Sequence, residues 1–256
     1  MHDRICIEIC IDDPSHAPTV ANAGADRVEM CSALDLGGLT PTSSSLRKSI
    51  QGGIPVAAMI RLRPGDFILD DEDIALMRDE IASHIDSGAD GIVLGALTSN
   101  GEVDGGALRS LVDVCDGVPV TFHRAFDHCT DRIQGLERII DAGCQRLLSS
   151  GGAMTAIEGV EELARIVEAA EGRIEVLAGG GVYPSHALEL VRRSGVRWLH
   201  LSARQESPSP DGAESSDNIQ GKIPLGRKGL DDSGQRTTPD PAVIRQLRAQ
   251  LDREEG

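Results

Sequence analysis

The chain has 256 residues, 40% of them hydrophobic, with 25 Lys and Arg against 41 Asp and Glu and a formal charge of −16. That hydrophobic share can build a sizeable core and excludes a disordered chain. The negative charge repels phosphate backbones and anionic bilayers, and three Phe, one Trp and one Tyr make no stacking platform, which argues against nucleic-acid and membrane partners.

The opening MHDRICIEIC runs straight into a strand-like pattern, with neither a basic leader region nor a cleavable apolar stretch. ICIEICI (5–11) is therefore the first predicted strand. A repeat follows it: AGADRVEM (23–30), SGADGIVL (87–94), AGCQRLLS (142–149) and SGVRWLHL (194–201) each place a Gly where a helix ends, then a β-rich run. IPVAAMIR (54–61), VPVTFHR (118–124) and RIEVLAG (173–179) are the strands between them.

Helices are predicted over 14–23, 42–51, 70–87, 104–116, 132–142, 155–171 and 184–194. Residues 205–237, rich in Ser, Pro, Gly and Asp, are expected to form a mobile polar excursion after strand 8. PDPAVIRQLRAQLDREE then supplies a last helix, 238–255, that closes the structure. Eight strand–helix units in one domain, 1–256, describe an α/β fold, a (β/α)8 TIM barrel. A doubly wound sheet would carry G-x-G-x-x-G after its first strand, and none is present.

No run of about 18 apolar residues is available for a membrane span. The six Cys (6, 10, 31, 115, 129 and 144) show no C-x-x-C and no dense secreted framework, so reduced thiols and a cytoplasmic location are expected.

Alternate strand residues in a barrel face inward. On strand 1, Ile5, Ile7, Ile9 and Ile11 form the helix-facing set, leaving Cys6, Glu8 and Cys10 inside. The same alternation sends Glu29 and Cys31, Met59, Arg61 and Arg63, Thr121 and His123, and Trp198, His200 and Ser202 inward. The polar end of this interior is the C-terminal mouth, where barrel active sites lie.

E-x-C occurs at the ends of two neighbouring strands, as Glu8-Ile9-Cys10 and Glu29-Met30-Cys31. Two inward thiols at that spacing are either Cu(I) ligands or small residues filling a barrel layer. Glu8 and Glu29 are either an acid/base pair or part of a satisfied charge network with Arg61. In His123-Arg124-Ala125-Phe126-Asp127-His128-Cys129, the His, Arg and Asp are catalytic candidates or a core His beside a capping Arg–Asp pair. His128 and Cys129 are extra ligands or, the favoured reading, solvated loop residues. Gly151, Gly152, Gly180 and Gly181, with Arg204, are candidates for an anion site, because glycine loops let backbone N–H groups approach an anion closely.

EICID (8–12), GADRVEMCSALDLGGLTP (24–41), MIRLRPGDF (59–67), GADGIVLGALTSNGEVD (88–104), VPVTFHRAFD (118–127), SSGG (149–152), AGGGV (178–182) and HLSAR (200–204) together resemble the CutC family, named for copper homeostasis. The resemblance implies a TIM barrel, a cytoplasmic homo-oligomer, commonly a dimer, and Cu(I) bound through the Cys of the two E-x-C segments, here Cys10 and Cys31. It implies no organic cofactor. Departures are Leu62 and Pro64 in the strand-3 loop, Ala178 where Pro is usual, and His128-Cys129 in place of an apolar pair.

Two functions stand against each other. One is a Cu(I)-binding protein acting through Cys10 and Cys31. The other is a barrel enzyme acting on a small anionic or phosphorylated metabolite, held by the glycine loops and Arg204. There Glu8, Glu29 and His123 would be acids or bases, and Arg61 and Arg124 electrostatic stabilisers.

Overall fold

A computed structural model describes residues 4–208 and 235–255. Among these, eight parallel strands close a barrel: β1 (Cys6–Ile11), β2 (Arg27–Met30), β3 (Val56–Met59), β4 (Gly91–Leu94), β5 (Val120–Phe122), β6 (Arg146–Ser149), β7 (Glu175–Gly179) and β8 (Trp198–Leu201). β1 pairs with both β2 and β8, so the sheet has no free edge. Around it run α1 (Ala17–Asn22), α2 (Ser43–Ile50), α3 (Asp71–Asp86), α4 (Gly105–Val112), α5 (Arg132–Asp141), α6 (Val160–Ala170), α7 (Ala187–Ser194) and α8 (Pro241–Glu255). The TIM barrel expected from the repeat is the observed fold.

The repeat works as its residues suggest. Gly24, Gly88, Gly143 and Gly195 all have positive φ, the conformation that ends a helix and redirects the chain into a strand. Ile5, Ile7, Ile9 and Ile11 are buried on the helix-facing side, in one continuous apolar layer between strands and helices. α3 starts where its acidic first turn predicts. The Asp70 side chain accepts from the backbone N–H groups of Glu72 and Asp73, and Asp73 completes a capping box.

Two expectations change. The helix placed over 155–171 begins only at Val160. The residues before it form turns pressed against the mouth: Ala156 N–H donates to Gly180 O at 2.8 Å, and a side chain on Gly159 would overlap the Ser150 carbonyl. The two ends of the 205–237 excursion pair as an antiparallel ribbon, β9 (Arg204–Pro208) with β10 (Gln235–Pro239). The rest of that expectation, residues 209–234, lies outside the described residues.

After the ribbon, α8 packs between α7 and α1 with Ile244, Leu247 and Leu251 buried, and Arg248 Nη1 donates to Ile5 O at 2.7 Å. No helix among the described residues is long and apolar enough to cross a membrane.

Candidate functional site at the barrel mouth

Closing the barrel sets the innermost polar layer. The β1–β8 register places Glu8 opposite His200, and the β1–β2 register places Glu8 opposite Arg27 and Cys10 opposite Glu29. His200 Nδ1 meets Glu8 Oε1 at 2.8 Å, while the other Glu8 oxygen pairs with Arg27 Nε. The Arg27 guanidinium in turn lies 4.1 Å over the Trp198 ring. All of these charged groups are nearly fully buried, so the network holds only because each charge has a partner.

Room for the His200 ring comes from Gly179. A Cβ there would stand 3.2 Å from His200 Cβ and Cδ2 and 2.6 Å from Leu148 Cδ1, closer than packed carbon atoms tolerate.

With Nδ1 committed to Glu8, His200 turns Nε2 towards Cys10 and Glu29. One donor atom from each of Cys10, Glu29 and His200 lies within 4.8 Å of the others. Burial opposes charging His200, yet Glu29, Cys10 and Glu8 together raise its pKa well above the ordinary histidine value. Burial also pushes Glu8 up, but Arg27 and His200 prevail and hold it at about 2. Glu29 goes the other way, raised by its burial and by the charge on Glu8. Its Oε1 is buried and has no hydrogen-bond partner among the described residues. An orphaned carboxylate oxygen beside a thiol and an imidazole is a donor set that a thiophilic cation would satisfy.

Cys31 sits beside this group, not in it. Its thiol meets Glu29 Oε2 at 3.4 Å, and it packs with Ala57, Met59 and Val93. Burial, then the neighbouring Glu29, raises its pKa well above the usual thiol value. Arg61 does not join the carboxylate network as expected; Arg27, two residues before Glu29 on the same inward face, takes that place. Arg61 lines the mouth, but Arg63 is not inward. β3 ends at Met59, and Arg63 pairs with Asp66 at 3.1 Å and Asp73 at 3.2 Å at the rim. Cys129 is not the solvated loop residue expected: it is buried against Gly135, and burial raises its pKa to about 11.

Above the buried layer opens a cavity of about 740 Å³, lined by Cys10, Glu29 and His200 at its floor and by Arg61, His123, Arg124 and Arg204 higher up. His123 caps the helical turn that follows β5, its Nδ1 accepting from Ala125 N–H at 3.2 Å. The ring proton therefore sits on Nε2. Burial and the charge of Arg61 lower the His123 pKa to about 4, so the imidazole is neutral. Gly95 makes this placement feasible, since any side chain there would overlap the His123 ring.

The glycine loops divide into two kinds. Gly180, Gly181 and Arg204 line the cavity, whereas Gly151 N–H is taken by Ser149 Oγ at 2.9 Å and Gly152 N–H by Asp127 Oδ1 at 3.2 Å. Asp127 also accepts from Ser150 N–H, from both serine hydroxyls and from Arg124 Nε at 2.7 Å. A side chain of the protein thus fills the anion nest after β6, and the Arg124–Asp127 pair caps the barrel.

Sequence reasoning placed His200 inward without giving it a role, and it passed over Arg27. The available signal was that inward Glu8 and inward His200 belong to the first and last strands, which a closed barrel makes neighbours.

The CutC family profile matches residues 5–205. The chain belongs to the CutC family. Family protein CutC of Histophilus somni is 44% identical over 239 residues, 93% of this chain and 96% of that protein. Its counterpart in Caulobacter vibrioides is 42% identical over 208 residues, 81% of this chain and 85% of that one. A crystal structure of CutC from Streptococcus agalactiae, assigned to copper homeostasis by name, superposes with a TM-score of 0.74 at 32% identity over 77% of this chain and 98% of that one. An aldolase, QR15, has a TM-score of 0.61 at 16% identity, over 79% of this chain and 92% of that one, and shares the fold alone.

Proposed function

We propose that this CutC-family barrel binds Cu(I) as cargo at the floor of its mouth, with Cys10 and His200 as ligands and Glu29 as the adjacent oxygen donor. The observation that carries this reading is the Glu8–His200 bond. A carboxylate on one imidazole nitrogen aims the other at the ion and raises its basicity, the arrangement that metal-binding histidines use. Thiolate and imidazole are donors suited to Cu(I), which accepts low coordination numbers. The copper-homeostasis name of the S. agalactiae relative points the same way.

The family resemblance pairs Cys10 with Cys31. His200 takes the place of Cys31 in this proposal, because the Cys31 thiol hydrogen-bonds to Glu29 within an apolar pocket. A cytoplasmic location, as the resemblance implies, fits six free thiols; the homodimer it also implies is a separate proposal.

The test is anaerobic Cu(I) titration of reduced protein against a competing chelator. One equivalent, lost in Cys10→Ser and His200→Gln but kept in Cys31→Ser, supports the site. Equal loss in Cys31→Ser restores the paired thiols. Binding unaffected by Cys10→Ser ends the proposal.

A second reading is favoured by a different observation: an enzyme-like cavity for a small anion. Arg124 is paired with Asp127 and Arg204 with Asp35, yet Arg61 meets no carboxylate among the described residues. In a chain of charge −16, an unneutralised guanidinium in a cavity wall favours an anionic ligand.

A further inference from the structure

Arg61 is held in the cavity wall by backbone carbonyls, and no carboxylate among the described residues neutralises it. Nη1 donates to the carbonyls of Leu36 at 3.0 Å and Gly38 at 3.2 Å, and Nη2 to that of Gly65 at 3.4 Å. Its guanidinium lies 5.0 Å from the Phe67 ring, and the His123 ring lies 5.1 Å from the same ring, edge-on. One aromatic side chain thus spaces a fixed cation and a fixed imidazole on the same wall. His123 is 5% exposed, lines the cavity and has its Nδ1 occupied, which leaves Nε2–H as the ring's donor and the ring without charge.

We infer, on the basis of the anion-cavity reading, that Arg61 and His123 form a subsite for a small 2-oxo or 2-hydroxy acid. Arg61 takes the carboxylate and His123 donates to the oxygen on the adjacent carbon. A charged acceptor next to a neutral one matches a cation next to a neutral donor. A phosphate would leave His123 serving a second charged oxygen, for which an imidazolium is the better partner. A neutral imidazole donating to a carbonyl oxygen polarises it without transferring a proton in the ground state. The subsite is separate from the Cys10–Glu29–His200 floor and does not depend on metal.

The experiment is isothermal titration of chelator-treated, reduced full-length protein with pyruvate, lactate, acetate and inorganic phosphate. Pyruvate or lactate should bind about tenfold more tightly than acetate, the worth of one added hydrogen bond. Arg61→Gln should abolish binding. His123→Phe should cost about tenfold and His123→Gln, which keeps a neutral donor, much less. Wild-type affinity should stay flat between pH 6 and 8, since a neutral donor has no proton to lose there.

If none of the four anions binds, the cavity reading and this inference fall together. If anions bind through Arg61 but acetate equals pyruvate, or phosphate is preferred, the cavity reading stands and the 2-oxo acid subsite is wrong. Affinity falling as pH rises from 6 to 8 would also overturn the neutral His123. Should His123→Phe not fold, the ligand ranking and the wild-type pH profile still decide.

Discussion

Glu8 Oε1 stands 2.8 Å from His200 Nδ1 across the seam where the first strand meets the last, joining residues 192 positions apart in the chain. The contact is the keystone of both the barrel closure and the proposed copper site. The same carboxylate neutralises Arg27 and orients the imidazole.

Glu8→Gln should therefore do two kinds of damage. Arg27 is left as a buried charge without its counter-ion, at a cost of about 3–5 kcal/mol in urea unfolding. Cu(I) affinity should fall about 10- to 100-fold, because His200 loses its orienting carboxylate. Unchanged stability would mean that Arg27 finds another acceptor.

Two glycines separate the floor of the mouth from its wall. Gly179→Ala presses on His200 and Leu148, so it should weaken Cu(I) binding and destabilise the barrel by about 1–3 kcal/mol. Gly95→Ala drives into His123 and should carry a similar stability cost while leaving Cu(I) binding intact. Chelator competition and urea melts on both variants check the pair; equal losses of Cu(I) binding would contradict the layering.

The contribution of His123 to stability should fall on mild acidification, opposite in sign to that of Glu29 and His200, whose pKa values are raised on folding. The His123 pKa is lower in the folded chain, about 4, than its reference of 6.5, so between these values the unfolded state binds the extra proton. The contribution is complete above pH 6.5 and is lost as pH falls towards 4, amounting to roughly 3 kcal/mol. Glu8, also depressed on folding, adds a further loss only between about 4.5 and about 2. The change in unfolding free energy from pH 7 to 4.5 should be less destabilising in His123→Gln than in wild type; equal changes would refute the assignment.

Asp127 behaves as a built-in anion for the loop after β6. Asp127→Ala removes the acceptor for two backbone N–H groups, two hydroxyls and Arg124, so thermal stability should drop by about 2–3 kcal/mol. Inorganic phosphate or sulfate should recover part of that loss by entering the vacated nest. A variant whose melting temperature ignores both anions would show that the loop collapses instead.

The barrel was legible because its signals are local. ICIEICI alternates with period two, each repeat carries a glycine at the left-handed position, and Asp70 with Asp73 caps α3, all within a few residues of where they act. The inward placement of Glu8, Cys10, Glu29, His123 and His200 follows from the same alternation. Arg63 escapes it because β3 stops before the chain turns outward, and α6 starts late because Gly159 lets two backbones touch.

What alternation cannot say is which inward residues meet. That depends on strand stagger and on closure, which bring β8 beside β1 and set Glu8 opposite His200 and Cys10 opposite Glu29. Hence Arg27, not Arg61, neutralises Glu8, and Glu29 and His200 stand with Cys10. Composition and short-range pattern specify a barrel with a polar mouth, since helix ends and strand faces are decided by neighbours in the chain. The partners within that mouth are chosen by contacts between residues far apart in the chain, so only the closed three-dimensional fold determines them.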